Sequence, residues 1–354
     1  MTYYIKNGDT YSTSAEASLD IHNLLPVGNY TIGKDPFDNF FFQDVDSFTL
    51  PGKMYGDSTR HCERIFNTFM DRESATGVLL AGEKGSGKSL LAKRLSITAA
   101  EHNIPTIIVN LPWTGDKFNN LIQSIQQPCV IIFDEFEKVY DSDDQEAVLT
   151  LLDGTFPSKK LFVLTCNDKW RIDSNMRNRP GRIFYLIDFK GLSVEFIKEY
   201  CADNLNNKEH IDTLCKVSTL YDEFNFDMLK AVVEDMNRYN ESPQEALELL
   251  NAKPEYGAEM RFNISLTLDG KPLADDALYA KEWNGNPLSS YKSIEYGTVD
   301  NNGDREWDNY EPFENNDLIN VDATAGSFTF KNKDGNILIL SKLQYHKHNY
   351  FDVF

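Results

Sequence analysis

The chain has 354 residues, enough for two or three domains, with 35 Lys and Arg against 55 Asp and Glu and a net charge of −20. That balance argues against nucleic acid as a partner, because displacing counterions from phosphates needs a basic track, and the pair Lys159-Lys160 does not make one. Five cysteines without a C-x-x-C argue against a zinc ribbon or a disulfide frame; with no apolar run of membrane-span length and no signal-peptide pattern over residues 1–6, the expectation is a cytoplasmic protein with no membrane partner.

Residues 1–50 read as a β-rich N-terminal region. G-N-Y-T-I-G at 28–33 and F-F-F-Q-D-V at 40–45 flank a turn-rich K-D-P-F-D-N, which is a hairpin pattern. From 51 to 190 apolar strands alternate with helical stretches, as a parallel α/β sheet requires.

Residues 76–89, T-G-V-L-L-A-G-E-K-G-S-G-K-S, form an apolar strand, a G-x-x-x-x-G-K-S loop and the start of a helix. Gly82, Gly85, Ser86 and Gly87 let backbone N–H groups curl around phosphate oxygens, and the helix N-terminus adds a favourable dipole. Lys88 is expected to reach the β- and γ-phosphates of ATP or GTP, and the Ser89 hydroxyl to hold Mg2+.

Beyond the strand at 106–110 comes Pro112-Trp113-Thr114-Gly115, then a helix from about Asp116. C-V-I-I-F-D-E at 129–135 is a buried-strand pattern ending in two acids. A carboxylate at the C-terminal end of a parallel strand is placed to hold Mg2+, which assigns Asp134 to the metal. Glu135 is then placed to orient and deprotonate an attacking water. The D-S-D-D run at 141–144 lacks the glycine and distal glutamate of a calcium loop and reads as a solvated loop.

A further strand, L-F-V-L-T at 161–165, ends at Cys166-Asn167, where an amide can hydrogen-bond the water or the γ-phosphate. N-M-R-N-R-P-G-R follows at 175–182, with a Pro-Gly turn aiming its arginines; guanidinium groups bind phosphate through two parallel bonds.

With these motifs in this order, the chain resembles an AAA+ ATPase, and within that superfamily the narrow-sense AAA clade, over about residues 52–252. The resemblance implies a P-loop parallel-sheet core at 51–190, a helical lid at 191–253 and Mg2+-dependent ATP hydrolysis in a ring, usually a hexamer. It makes Asn167 the sensor 1 residue, and Arg179 and Arg182 the arginine fingers that act on a neighbour's ATP. Tyr55-Gly56-Asp57 resembles the clade's adenine-contacting segment; the alternative is an ordinary strand-to-helix turn. Trp113, Thr114 and Gly115 fall where the clade's unfoldases carry a pore-loop aromatic-x-Gly, an aromatic that grips polypeptide. The alternative for Trp113 is packing of a helix against the sheet.

There are departures. E-K-G-S at 83–86 replaces the clade's P-P-G-T, and the stretch from Asp173 to Arg179 is one residue longer, so Arg177 is a candidate to share the finger role. No sensor 2 arginine stands near N-F-D-M at 225–228, which fits the narrow clade. There is no H-E-x-x-H of a fused protease.

Helical segments at 194–205 and 226–239 fit the lid. After Lys253-Pro254 the chain becomes rich in Asn, Asp, Gly and aromatics, and reads as a C-terminal all-β domain at 254–354. S-F-T-F and I-L-I-L there flank a hairpin turn at 332–336. His346 and His348 share a strand face without a nearby Cys or acid, which does not make a metal site; residues 345–354 form a short aromatic tail. The wealth of Asn, Asp, Tyr and Phe resembles virus-encoded AAA proteins. The functional expectation is an ATP-driven remodeller of a protein or complex. The alternatives are an assembly scaffold controlled by nucleotide state, without threading, and behind it a nucleic-acid motor or loader.

Overall fold

The computed structural model describes residues 3–7, 10–14, 22–153, 159–189, 191–219, 221, 224–250, 261–288, 290–299, 305–322 and 325–343. Strands β1 (Tyr3–Asn7) and β2 (Thr10–Ser14) pair antiparallel. The next hairpin, β3 (Asn29–Lys34) and β4 (Phe40–Val45), runs in register from Asn29↔Val45 to Lys34↔Phe40. Its turn is pinned by the Asp35 carboxylate, which accepts the N–H groups of Phe37 (2.9 Å) and Asn39 (2.8 Å). Such self-bonding is why Asp and Asn favour turns.

The core strands are β5 (Thr76–Gly82), β6 (Thr106–Val109), β7 (Cys129–Phe133), β8 (Lys160–Cys166) and β9 (Tyr185–Phe189), all parallel to one another. The sheet has the order β4-β3-β6-β7-β8-β5-β9. Strand β3 joins β6 in parallel, Asn29 opposite Thr106 and Thr31 opposite Ile108. Residues 29–45 are thus the outer part of the core sheet, and the expected boundary near residue 50 divides strands that share hydrogen bonds. The physical reason is burial: Tyr30 and Ile32 join the same apolar cluster as Ile107 and Val109, and the pairing satisfies the backbone edge of β6.

Both faces of the sheet are covered at its centre, so β5, β7 and β8 are buried at consecutive positions instead of alternating. Helices α1 (Ser58–Asp71) and α2 (Lys88–Glu101) pack Cys62, Ile65, Phe66, Phe69, Leu91 and Leu95 against Val78, Leu80, Val130 and Val163. The α1 set has the i, i+3, i+4, i+7 spacing of one helix face. Helices α3 (Asp116–Ser124), α4 (Phe136–Val139), α5 (Ser142–Leu152) and α6 (Ser174–Arg177) cover the other face with Phe118, Ile122, Phe136, Val148, Leu152 and Met176. Each large side chain so buried contributes about 1.5–3 kcal/mol. The acidic run expected to be a solvated loop opens α5 instead. Asp141 caps it, accepting the N–H groups of Asp143 and Asp144 at 3.1 and 2.9 Å, and the next acids sit at the positive end of the helix dipole.

The chain divides into two compact units, Met1–Phe189 and Lys190–Phe354. In the second, α7 (Val194–Asn204), α8 (Ile211–Ser218), α9 (Phe226–Tyr239) and α10 (Pro243–Leu249) surround a cluster that includes Ile197, Leu214, Leu229, Val232 and Met236. Its strands are β10 (Arg261–Leu268), β11 (Lys271–Pro272), β12 (Glu282–Asn284), β13 (Lys292–Val299), β14 (Arg305–Phe313), β15 (Leu318–Asp322), β16 (Ser327–Lys331) and β17 (Ile337–Lys342). They form a sheet of order β11-β10-β17-β16-β15 with β12 beside β10, and a separate β13–β14 pair. The hairpin expected around residues 332–336 is β16–β17, Phe328 opposite Leu340 and Phe330 opposite Leu338. Lys253-Pro254, His346, His348 and the aromatic tail lie outside the described residues. Among the described residues no helix is long and apolar enough to cross a membrane.

Candidate functional site

The loop between β5 and α2 is built on left-handed glycines: Gly82 (φ 143°), Gly85 (φ 74°) and Gly87 (φ 100°), the last capping α2. At Gly82 the requirement is also spatial, because a Cβ there would stand 2.2 Å from the Phe189 carbonyl oxygen. The Ser86 hydroxyl is buried with no hydrogen-bond partner among the described residues. Ser89 is exposed on the first turn of α2.

Lys88 is 7 % exposed. Its ammonium donates to the carbonyls of Gly82 and Glu83, both at 2.6 Å, and to Asn167 Oδ1 at 3.2 Å. Burial lowers its pKa, opposed by the surrounding acidic groups Cys166, Glu137, Asp134 and Glu135.

Strand β7 is buried throughout and delivers Asp134 and Glu135 at its C-terminal end. Opposite them, on β8, the Thr165 hydroxyl donates to Asp134 Oδ1 at 2.7 Å and accepts the Glu135 N–H at 2.8 Å. Glu135 is in the left-handed region (φ 49°, ψ 45°) and caps α4. Its exposed carboxylate pairs with Lys138 one turn on; the hydrogen bond from Lys138 is the main reason its pKa lies below the ordinary value. Asn167, just past β8, donates its backbone N–H to Glu137 Oε1 at 2.9 Å.

The loop glycines, Lys88, Asp134, Glu135 and Asn167 therefore meet at the C-terminal ends of β5, β7 and β8, where open α/β sheets bind ligands. Thr165 and Glu137 are not singled out by the sequence. The available signals are a hydroxyl in an otherwise apolar strand and a carboxylate two residues beyond the acid pair.

The arginines are elsewhere on the sheet. The Phe184 N–H bonds the Gly77 carbonyl at 2.8 Å, so the R-P-G-R segment passes the N-terminal end of β5. The phosphate loop leaves the other end of that strand, about 17 Å away at the usual rise per residue. Arg182, expected to serve a neighbour in the same way as Arg179, is engaged within its own chain. Its guanidinium forks onto Asp153, with Nη2 to Oδ2 at 2.6 Å, and its Nη1 donates to the Asn175 carbonyl at 2.9 Å. Arg177 is also held, its Nε on the Ile172 carbonyl at 2.9 Å and its guanidinium 4.7 Å from the Trp170 ring centre. Arg179 is exposed: its carbonyl accepts the N–H groups of Arg182 (2.8 Å) and Ile183 (3.0 Å), and its guanidinium has no hydrogen-bond or ion-pair partner among the described residues.

Trp113 sits in a packing position. It is half-buried against the core cluster, edge-on to Phe40 with ring centres 5.3 Å apart. The Tyr140 hydroxyl proton is shared between the Trp113 carbonyl (3.1 Å) and that of Leu111 (3.2 Å), fixing the backbone. Leu111, 47 % exposed, is the outward apolar side chain of the segment. Thr114 is half-buried, and exposed Gly115 (φ 86°) caps α3. Tyr55 is partly exposed, the Lys53 ammonium 4.8 Å from its ring centre, and Gly56 (φ 64°) turns the chain just before α1.

Residues 78–190 match the family "ATPase family associated with various cellular activities (AAA)". On that match, and with the sheet order and loop above, this stretch is an AAA ATPase domain. Over 183 residues the chain is 28 % identical to the peroxisomal ATPase pex1 of Schizosaccharomyces pombe, covering 45 % of this chain and 19 % of that protein. It is 32 % identical over 128 residues to the cell division cycle protein 48 homolog of Archaeoglobus fulgidus, covering 30 % and 17 %. It is 31 % identical over 129 residues to the ATP-dependent zinc metalloprotease FtsH of Heterosigma akashiwo, covering 30 % and 19 %. The chain thus spans less than a fifth of the length of each of these relatives. A solved structure, a single-site variant of Thermotoga maritima RuvB, is similar at a TM-score of 0.42 and 16 % identity, covering 57 % of this chain and 73 % of that one.

Proposed function

We propose that this protein binds ATP with Mg2+ and hydrolyses it in an oligomeric ring, remodelling, unfolding or disassembling a protein or complex. The observation that carries the ATPase reading is the convergence of Lys88, Asn167, Asp134 and Glu135 at adjoining strand ends. The unpartnered Ser86 hydroxyl and the left-handed loop fit a phosphate chain.

The backbone N–H groups of Gly82, Gly85, Ser86 and Gly87 cradle phosphate, and Lys88 exchanges its carbonyl partners for phosphate oxygens. Ser89 and Asp134 would hold Mg2+, which would supply charge neutralisation of the phosphates. Glu135, kept ionised by Lys138, takes the proton of the attacking water, and Asn167 orients that water. Tyr55 and Gly56 border the adenine.

Arg179 serves the neighbouring subunit's ATP, and Arg182 does so on leaving Asp153. The position of this segment at the far end of β5 supports action between subunits. The resemblance to narrow-sense AAA proteins supports a ring, hexameric by that clade's habit, with 191–253 as its lid. Residues 254–354 and the N-terminal 1–50 choose the target or cap the ring around the 51–190 core. Five unpaired, buried cysteines support a cytoplasmic, reducing location.

A second reading, a nucleotide-controlled assembly scaffold without threading, is favoured by the packed seat of Trp113. The test is a trap. Glu135→Gln, locked with ATP and recovered from its native cytoplasm, should hold a protein. Co-purifying nucleic acid would overturn the remodelling reading, and an empty ring would favour the scaffold.

A further inference from the structure

We infer that Thr165 is a positioning residue of the site, setting both acids of the Asp134-Glu135 pair from the neighbouring strand; this rests on the ATPase reading above. Strand β8 is buried at every position, and Thr165 is 2 % exposed. A hydroxyl taken out of water there must find partners, and an apolar side chain of equal size would need none.

Both of its partners belong to the site. Phe133 pairs with Leu164 across the β7–β8 ladder, so the next residues, Asp134 and Thr165, face one another where the strands end. The hydroxyl proton goes to Asp134 Oδ1 (2.7 Å), which fixes the carboxylate rotamer and leaves Oδ2 outside that bond. The hydroxyl oxygen takes the Glu135 N–H (2.8 Å). That second bond holds a non-glycine residue at φ 49°, and this backbone conformation starts α4 and sets the direction of the Glu135 side chain. One hydroxyl therefore fixes the proposed metal ligand and the proposed base relative to each other. Groups that orient a metal-binding carboxylate typically change metal affinity about 10–100-fold when removed.

The experiment compares the full-length wild type with T165V and T165S. Binding of a slowly hydrolysed ATP analogue is measured by calorimetry with Mg2+ and with a chelator, alongside ATP turnover and thermal melting. T165V should melt like the wild type and bind the analogue normally without Mg2+. It should lose about 10–100-fold of the Mg2+-dependent gain in affinity, with kcat falling alongside. T165S, which keeps the hydroxyl, should stay close to wild type in both.

If T165V keeps its Mg2+-dependent gain and its turnover, the inference is overturned. It is equally overturned if T165S fails as badly as T165V, because the methyl group is then what matters. Should T165V melt early, binding and turnover are measured at a temperature where it is still folded, and the same outcomes decide. A wild-type chain with neither Mg2+-dependent binding nor turnover sinks the ATPase reading itself, and this inference with it.

Discussion

A Cβ on Gly77 would stand 1.9 Å from the carbonyl oxygen of Arg182, closer than any real contact. The glycine is there because the R-P-G-R segment crosses the start of β5 at backbone distance, tied by the Phe184 N–H to the Gly77 carbonyl. Strand and arginine segment are thus in direct backbone contact. Gly77→Ala must push the segment away, at a cost of about 1–3 kcal/mol typical of overpacking. Chemical denaturation should show that loss. ATP turnover should fall while ATP binding survives, because the phosphate loop leaves the opposite end of the strand. Wild-type turnover with reduced stability would show that the arginine segment tolerates the shift.

Lys88 and Glu135 should separate binding from hydrolysis. Lys88→Ala removes the buried ammonium from Gly82, Glu83 and Asn167, and should abolish measurable ATP binding in calorimetry. Glu135→Gln keeps the shape of the side chain and should bind ATP with kcat reduced about 10²–10⁴-fold, the range of a lost general base. Normal turnover by Glu135→Gln would remove Glu135 from the role of base.

The pH dependence tests the partner of that base. Lys138 holds the Glu135 carboxyl below its ordinary pKa, so the ionised form persists as pH falls, and the acid limb of the kcat profile should lie below the usual glutamate range. Removing the ammonium in Lys138→Met takes away the stabilisation of the charged form. The Glu135 pKa then rises, and the acid limb should move to higher pH. An unmoved limb would mean that another group controls it.

Much of this was legible because the phosphate loop is one contiguous stretch in which glycines, lysine and serine sit at fixed offsets. The apolar β7 with two acids at its end was legible for the same reason. Other features depend on pairings between distant segments. Nothing in the 28–45 hairpin says that β3 will lie parallel to β6, because its alternation fits a free hairpin equally well. Thr165 and Glu137 act across strands, each bonding a residue contributed by the other's strand end. Arg179 and Arg182 read alike in the sequence, and the placement of Asp153 and of the Asn175 carbonyl distinguishes them. The 141–144 run reads as a loop when its acids are weighed only as calcium ligands, whereas the same acids at the start of an apolar stretch cap a helix.

The two arginines should behave differently on mixing. Arg179→Ala should be inactive alone, yet regain part of its turnover when mixed with Lys88→Ala subunits, since each supplies what the other lacks. Arg182→Ala should also lower stability, because Asp153 loses its bidentate partner. Equal melting temperatures for Arg179→Ala and Arg182→Ala would argue that the Asp153 pair has no structural weight.

Trp113 decides between gripping and packing. Its ring fills space against Phe40 and the cluster beneath α3, while its backbone is fixed by Tyr140. Trp113→Ala should therefore open a cavity and destabilise the protein by about 3 kcal/mol, the low end for a large aromatic, since the ring is only half-buried. Basal ATPase should fall with it. Leu111→Ser, at an exposed position in the same segment, should leave melting unchanged, and in a threading machine it should weaken the stimulation of turnover by a protein substrate. The opposite pattern is equally readable. If Trp113→Ala melts normally, keeps basal turnover and loses only substrate stimulation, the ring leaves its seat to grip polypeptide, and the packing seen here is its resting position.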